Sequence, residues 1–397
     1  MSNRSEGITD NREVHDGGQT LIAAIIVNFS GSGGIIIMPI LVGIAIDFYG
    51  LSTRSAGFLG ATEMFGIAIG SILTVSAVNK IDRRTIALVG LSIVMFGNLS
   101  SLVLEGGQAL FVCRFIAGIG GGILCAVVNA IIAATSKPGS RFGLVMSASL
   151  CYAAALLVII ATLISYFGPK VLFLTMALVS VGGDIACRWL PSKGPVRTET
   201  QPQKIQSHQW HVLIVLGVWL LVYGGHIAIW TYQERMGVSL GVDRMLIGQV
   251  LGYTTIAGVL GAALAAIIGT RIGRVVPQVL ALGVSVFAAL LLVTADNLFV
   301  YAVASNLIML SWYFGVPYLY ALIAWLDPSG RVAALAATAF SIGAIFGPIL
   351  AALMVQDDQF VRVGWLGAIF YAACLIIIMP VALAARQSDR KATSVEQ

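Results

Sequence analysis

The run Ala109–Thr135, ALFVCRFIAGIGGGILCAVVNAIIAAT, is long enough to cross a bilayer and yet contains Arg114. A guanidinium at the centre of a membrane helix costs roughly 2.5–3.5 kcal/mol on insertion scales, so Arg114 needs a counter-charge or a wet cavity. At helical spacing Arg114, Gly118, Gly121, Cys125 and Asn129 share one face, so charge, close contact and amide point the same way. Such a face suits a solute or proton pathway better than an anchor. The only acidic residue well inside an apolar run is Glu63, in GATEMFG. At a rise of ~1.5 Å per residue its depth matches that of Arg114 within a turn. Asp47, at the end of the first run, is a second candidate partner. The chemistry expected is that Glu63, with or without Asp47, takes up and releases a proton while Arg114 tunes it. The alternative is a permanent Glu63–Arg114 pair that only fixes packing.

A second set of residues offers surfaces rather than charge. Trp219, Tyr223, His226 and Trp230 fall on one stripe of a helix, with His226 deep in its run. His226 is either a proton carrier or a hydrogen-bonding group in a cavity. Packing against a neighbouring helix is the bland alternative for the stripe, and Trp210 and Trp365 read as interface-belt residues. Asn306, Tyr313, Pro317 and Tyr320 of the tenth run, Gln249 and Tyr253 of the eighth, and Asn28 and Asn129 of the N-terminal half complete the candidate lining. One deep cation among aromatic and amide groups, Arg114 included, suits a small amphipathic organic molecule. An aromatic or monocarboxylate compound fits better than a sugar or polyanion. Pro39, Pro317 and Pro348 provide bends that a gating helix can use.

The elements that position these groups follow from composition. Of the 397 residues 58% are hydrophobic and only 10% charged, which places the chain among integral membrane proteins. Twelve apolar runs of about the ~20 residues a spanning helix needs extend from Leu21–Ile46 to Trp365–Ala385, the seventh being Trp210–Gln233. With the N-terminus inside, only Arg54, Lys170, Arg235, Arg244 and Arg362 of the 23 Lys and Arg lie on the far side, apart from the buried Arg114. Both termini are therefore expected in the cytoplasm. Residues 1–18 read as a cytoplasmic tail without a cleavable signal, 19–190 as one six-helix bundle, 191–209 as a Pro- and Gln-rich linker, 210–385 as a second bundle and 386–397 as a tail. The halves echo each other: NKIDRR (79–84) answers TRIGR (270–274), and KPGSR (137–141) answers DPSGR (327–331), each offset by ~190 residues, as a duplicated unit requires. The five cysteines lie in or near apolar runs and read as small hydrophobes. Glycine-rich runs embedded in spans give no nucleotide site, and no clustering suggests a metal, a cofactor, a catalytic triad or an enzyme.

These features resemble the major facilitator superfamily. Lys80, Arg83 and Arg84 match its loop 2–3 motif, while Val75, Asn79 and Asp82 stand where that motif has Gly, Asp and Gly. Arg114, Gly118 and Gly120 match its fourth-helix motif R-x-x-x-G-x-G. The resemblance implies an all-α fold of twelve helices in two pseudo-symmetric six-helix bundles around a central cavity. It also implies a cytoplasmic latch formed by Lys80, Asp82, Arg83, Arg84 and Asp184, with Arg271 and Arg274 in the second half. The fifth-helix exporter motif G-x-x-x-G-P is missing from its usual place and occurs instead as Gly343–Pro348 in the eleventh run. The acidic first-helix motif of aromatic-acid symporters is absent too, leaving the subfamily open. The expectation is a monomeric, proton-coupled secondary transporter of a small organic solute in a bacterial inner membrane, working by alternating access. Drug or metabolite export is the runner-up, and a non-transporting sensor or lipid scramblase of the same fold is a different class of answer.

Overall fold

A bilayer core offers no water to unpaired backbone groups, so apolar runs of this length satisfy their amides internally as helices. The computed structural model describes residues 16–78, 80–192, 209–269, 271–327, 331–355, 359–381 and 383–384. Within them lie α1 (Gly18–Asp47), α2 (Thr53–Ala77), α3 (Arg83–Val103), α4 (Gly107–Ala133), α5 (Pro138–Phe167) and α6 (Val171–Ala186), the last extended by a short 3-10 turn over Cys187–Trp189. The second half holds α7 (Gln209–Val238), α8 (Arg244–Ile268), α9 (Val275–Val293), α10 (Leu298–Leu326), α11 (Arg331–Met354) and α12 (Val361–Ile377). All 12 segments are long and apolar enough to cross a membrane. Asn79, Thr270, most of the expected linker, most of the loop before Arg331 and nearly all of both expected tails lie outside the described residues.

Helix starts are set by local chemistry. Asp82 caps α3 by accepting from Arg84 N at 2.7 Å, Asp243 caps α8 through Met245 N and Leu246 N, and Asn297 caps α10 through Val300 N. One boundary differs from the sequence expectation. The seventh helix does not stop at Gln233 but runs on to Val238, taking Glu234 and Arg235 into the helix. A charged pair that reads as a loop in the sequence is helical here because it is neutralised internally.

The chain divides into two compact units, residues 1–52 with 62–199, and residues 53–61 with 200–397. In the first unit α4 packs on α3 and α1, and α6 packs on α3 and α1. In the second, α10 packs on α9, and α12 packs on α9 and α7. The pairs α3–α4, α3–α6, α1–α6 and α1–α5 thus recur as α9–α10, α9–α12, α7–α12 and α7–α11, a shift of half the helices, which is the repeat anticipated from the loops.

Small residues make the closest seams. A Cβ at Gly120 would stand 2.6 Å from Gly90 O, and one at Gly118 would overlap Glu63 O, so these positions admit only a hydrogen. In the second unit Gly343 and Gly347 abut the carbonyls of Leu220 and Gly224. The displaced G-x-x-x-G-P motif is therefore the packing seam between α11 and α7.

Candidate functional site

The first unit encloses a buried polar cluster around Arg114, whose side chain is 1% exposed. Its Nη2 donates to Asn98 Oδ1 at 2.9 Å, Ser101 Oγ at 3.1 Å and Gly97 O at 3.3 Å, all on α3. These acceptors are aimed by their own bonds. Asn98 Nδ2 donates to Val94 O at 2.9 Å, which turns Oδ1 toward the guanidinium, and Ser101 Oγ donates to Gly97 O at 2.8 Å. The Phe173 ring lies 5.1 Å from the guanidinium carbon, within cation–π range. Tyr49, just beyond α1, donates its hydroxyl to Ser101 O at 3.3 Å, and burial pushes its phenol pKa up, so it stays protonated. Arg114 is thus fixed in place by neutral partners.

Glu63 faces that fixed charge loosely. Its Oε1 is 3.6 Å from Arg114 Nη1, an ion pair without a tight hydrogen bond, and its Oε2 is buried with no hydrogen-bond partner among the described residues. Gly34 makes room for it, since a Cβ there would overlap Oε1. A small cavity lined by Ser30, Gly34, Glu63, Asn98, Arg114 and Met176, among others, adjoins the pair, and has room for about one water molecule. The structure brings together Glu63 and Arg114 as the sequence suggested; Asp47 is exposed at the last residue of α1. Asn98, Ser101, Ser30 and Phe173 were missed. The spacing of Asn98 and Ser101, almost one turn apart in an apolar run, was the available signal.

The second unit presents a ladder of rings. Phe340 and Tyr223 stack with centroids 3.5 Å apart, Tyr223 and Trp312 at 5.2 Å, and Trp312 and His226 at 4.5 Å with planes 13° apart. Trp219 leans on Tyr320 at 4.8 Å. His226 Nδ1 and Trp219 Nε1 are buried and have no hydrogen-bond partner among the described residues. The predicted stripe on α7 is therefore assembled, with Trp312 and Phe340 as partners that single-helix periodicity does not reveal. Trp230 is buried, Gln249 half-buried and Tyr253 exposed. Tyr313 is half-buried against Gly258, and Asn306 turns its amide to Ala302 O at 2.7 Å. In the first unit Asn28 donates to Ser149 Oγ at 2.9 Å, and Asn129 is exposed.

A further ionic cluster had no counterpart in the sequence reading, which ended the seventh run at Gln233, just before Glu234. Glu234 is wholly buried and accepts from Arg235 Nε at 2.6 Å and Nη2 at 2.9 Å, with Arg244 Nε at 3.0 Å. Beside it Tyr301 Oη donates to Gln233 O at 2.8 Å.

The loop 2–3 cations act on helix ends. Arg83 is buried and donates to Ala130 O at 3.4 Å in the last turn of α4, and Arg84 Nε donates to Leu190 O after α6. Cations at helix C-termini complement the carbonyls exposed there. Asp82 serves as the α3 cap, Asp184 is half-buried, Lys80 and Arg271 are exposed and Arg274 precedes α9.

Comparison with known proteins follows this geometry. A sequence model described as Major Facilitator Superfamily matches residues 21–326. A gentisate transporter of Corynebacterium glutamicum is 24% identical over 272 residues, covering 62% of this chain and 60% of that one. The match thus spans less than two thirds of the transporter's length. Among solved structures, a D-xylose-proton symporter superimposes with a TM-score of 0.73 at 16% identity over 90% of this chain and 96% of that one. The nucleoside transporter NupG does so with a TM-score of 0.73 at 10% identity, covering 91% and 98%. With twelve apolar helices, a duplicated packing scheme and a family match over most of its length, the chain belongs to the Major Facilitator Superfamily, a family of multi-pass membrane transporters and not enzymes.

Proposed function

We propose that this transporter couples the movement of a small amphipathic organic anion, an aromatic monocarboxylate, to protons. Glu63 is the proton carrier and Arg114 the fixed charge beside it. The observation that carries this reading is the unequal grip on the two groups. Arg114 has three hydrogen bonds to α3, whereas Glu63 sits 3.6 Å away with one oxygen unpartnered, free to change protonation without dismantling the arginine's site. The name of the gentisate transporter supports an aromatic acid, and that of the xylose symporter supports proton coupling.

In this reading the rings of the second unit, with Tyr223, His226 and Trp230 of α7 and Tyr313 and Tyr320 of α10, receive the apolar face of the solute. Gln249, Tyr253, Asn306, Asn28 and Asn129 supply further contacts. His226 acts as a stacking and hydrogen-bonding group in this lining rather than as a proton carrier. Asp47 is an accessory to Glu63. Both termini lie in the cytoplasm of a bacterial inner-membrane monomer with bundles at 19–190 and 210–385. Lys80, Asp82, Arg83, Arg84, Asp184, Arg271 and Arg274 control the cytoplasmic side during alternating access. Uptake is the direction favoured, since the fifth helix lacks the exporter motif G-x-x-x-G-P.

The test uses purified protein in liposomes loaded with a pH-sensitive dye, with gentisate as the first probe and protein-free liposomes as the blank. External gentisate should acidify the interior faster than in the blank, and an imposed acid-outside gradient should drive accumulation. Gentisate and related benzoates that neither move protons nor respond to the gradient would overturn the reading.

A further inference from the structure

The cavity beside Glu63 contains a chemical pattern that the ion pair leaves unexplained. Three buried polar atoms belonging to its lining residues have no hydrogen-bond partner among the described residues: Ser30 Oγ on α1, Glu63 Oε2 on α2 and Arg114 Nε on α4. A buried polar group without a partner is costly, and all three residues line one small hollow, so a shared ligand there would relieve them together. The hollow has room for about one water, and a buried water typically makes about three hydrogen bonds. The donor and acceptor types are complementary to that molecule. Arg114 Nε only donates, Glu63 Oε2 as a carboxylate only accepts, and Ser30 Oγ does either.

Competing ligands fit poorly. A metal cation would sit against the guanidinium that lies 3.6 Å from the only carboxylate of the lining. An organic solute exceeds the space. The hollow itself is made by glycine: a Cβ at Gly34 would overlap Glu63 Oε1, and one at Gly121 would lie 2.9 Å from Gly31 O. Other groups facing Glu63 are Ile37 from α1, Asn98 from α3 and Met176 from α6, and Arg114 is the sole charged one among the lining residues.

We propose that Ser30, Glu63 and Arg114 bind a single water through which Glu63 exchanges its proton, with Ser30 as the positioning residue that orients it. In the protonating step the bound water passes one of its protons to Glu63 Oε2 as it takes another from a hydronium ion arriving from bulk water, so that neutral water stays in the site, the hydronium becomes water and Glu63 becomes a neutral carboxylic acid. Deprotonation reverses the same step. The proposal rests on Glu63 being the proton carrier, and its test separates the two ideas.

Infrared difference spectra of the purified full chain in liposomes, recorded across a pH titration, identify the Glu63 carboxyl band as the one lost in Glu63→Gln. Ser30→Ala should keep that band but shift its frequency, abolish the accompanying water band sensitive to H2(18)O, and slow proton exchange about tenfold. Ser30→Thr, which keeps the hydroxyl, should restore the water band. A Ser30→Ala protein with the wild-type carboxyl frequency, water band and exchange rate would overturn the water site while leaving Glu63 as carrier. A wild-type titration in which Glu63→Gln removes no band would instead overturn the carrier reading. Should Ser30→Ala not fold, the wild type decides alone. An isotope-sensitive water band that vanishes in Glu63→Gln supports the site, and the lack of any such band sinks it.

Discussion

Each unit buries one carboxylate beside arginine, and the two are held in opposite ways. Glu234 is clamped, with both oxygens bonded by Arg235 at 2.6 and 2.9 Å and Arg244 adding a contact at 3.0 Å. Glu63 is only approached, at 3.6 Å by one arginine nitrogen; its Oε2 has no hydrogen-bond partner among the described residues, and the residue lines a pocket the size of a water. A bidentate clamp maximises charge-assisted bonding and favours a carboxylate that never changes state. A loose pair with an open lone pair favours one that does. The contrast teaches that burial alone does not distinguish a structural charge from an exchangeable one; the number and length of the bonds to each oxygen do.

The same contrast extends to the surroundings. The packing of α1–α6 is repeated by α7–α12, yet the chemistry is not duplicated. The place in α10 that answers to Arg114 carries no cation, and Tyr301 and Ser305 are the buried polar groups there. The first unit sets its cation among neutral groups of α3, whereas the second holds both a clamped ionic cluster at Glu234 and a ladder of aromatic rings. A duplicated scaffold tolerates this because its helices are held by glycine seams rather than by the residues that differ.

The largest effect expected in breaking this comparison comes from Arg114→Leu. It strands Glu63 and three polar groups of α3, so loss of transport together with about 3–5 kcal/mol of stability is expected, read from flux and thermal unfolding in detergent. Wild-type flux in this variant would remove the arginine from the mechanism. Glu234→Gln comes next. Leaving two guanidiniums without their shared carboxylate should lower stability by about 2–4 kcal/mol, while the pH dependence of transport by the surviving folded protein stays that of the wild type. A changed pH profile would mean that the clamped carboxylate also titrates. Glu63→Gln should show the opposite: a smaller loss of stability than Glu234→Gln, because the pair is long and Arg114 keeps its three acceptors on α3, but exchange of labelled substrate that no longer responds to a proton gradient. Gly343→Ala tests the seam, since the added methyl overlaps Leu220 O; a loss of about 1–3 kcal/mol is expected in thermal melts. The smallest effect belongs to His226→Phe, which preserves the stack on Trp312. It should change KM for an aromatic acid by about fivefold, equivalent to roughly 1 kcal/mol, and leave the pH profile alone. A lost pH response there would make His226 a proton carrier after all.

Much of this was legible in the chain. Twelve apolar runs, the echoing loops and the isolated Arg114 are properties of composition and order, and a bilayer admits few solutions to them. The Glu63–Arg114 meeting could be inferred because depth in a spanning helix is nearly proportional to residue count. Glu234 escaped notice because a hydrophobicity pattern ends a helix at its first charges and cannot tell a solvated charge from one neutralised within the fold. Asn98 and Ser101 escaped because single amides and hydroxyls are common in membrane helices, bonded to their own backbone.

What the amino-acid order determined by itself was the spanning fold, its division into repeated halves and the presence of one costly buried cation, since these follow from the free energy of placing each residue type in hydrocarbon. Only tertiary structure decided which groups satisfy that cation, that Glu234 and not Glu63 is bonded on both oxygens by arginine, and that Phe340 and Trp312 join Tyr223 and His226 in one ladder. Those outcomes depend on ångström-scale distances between different helices, and such distances are set by how glycine and side-chain volumes pack, which no single run of sequence encodes.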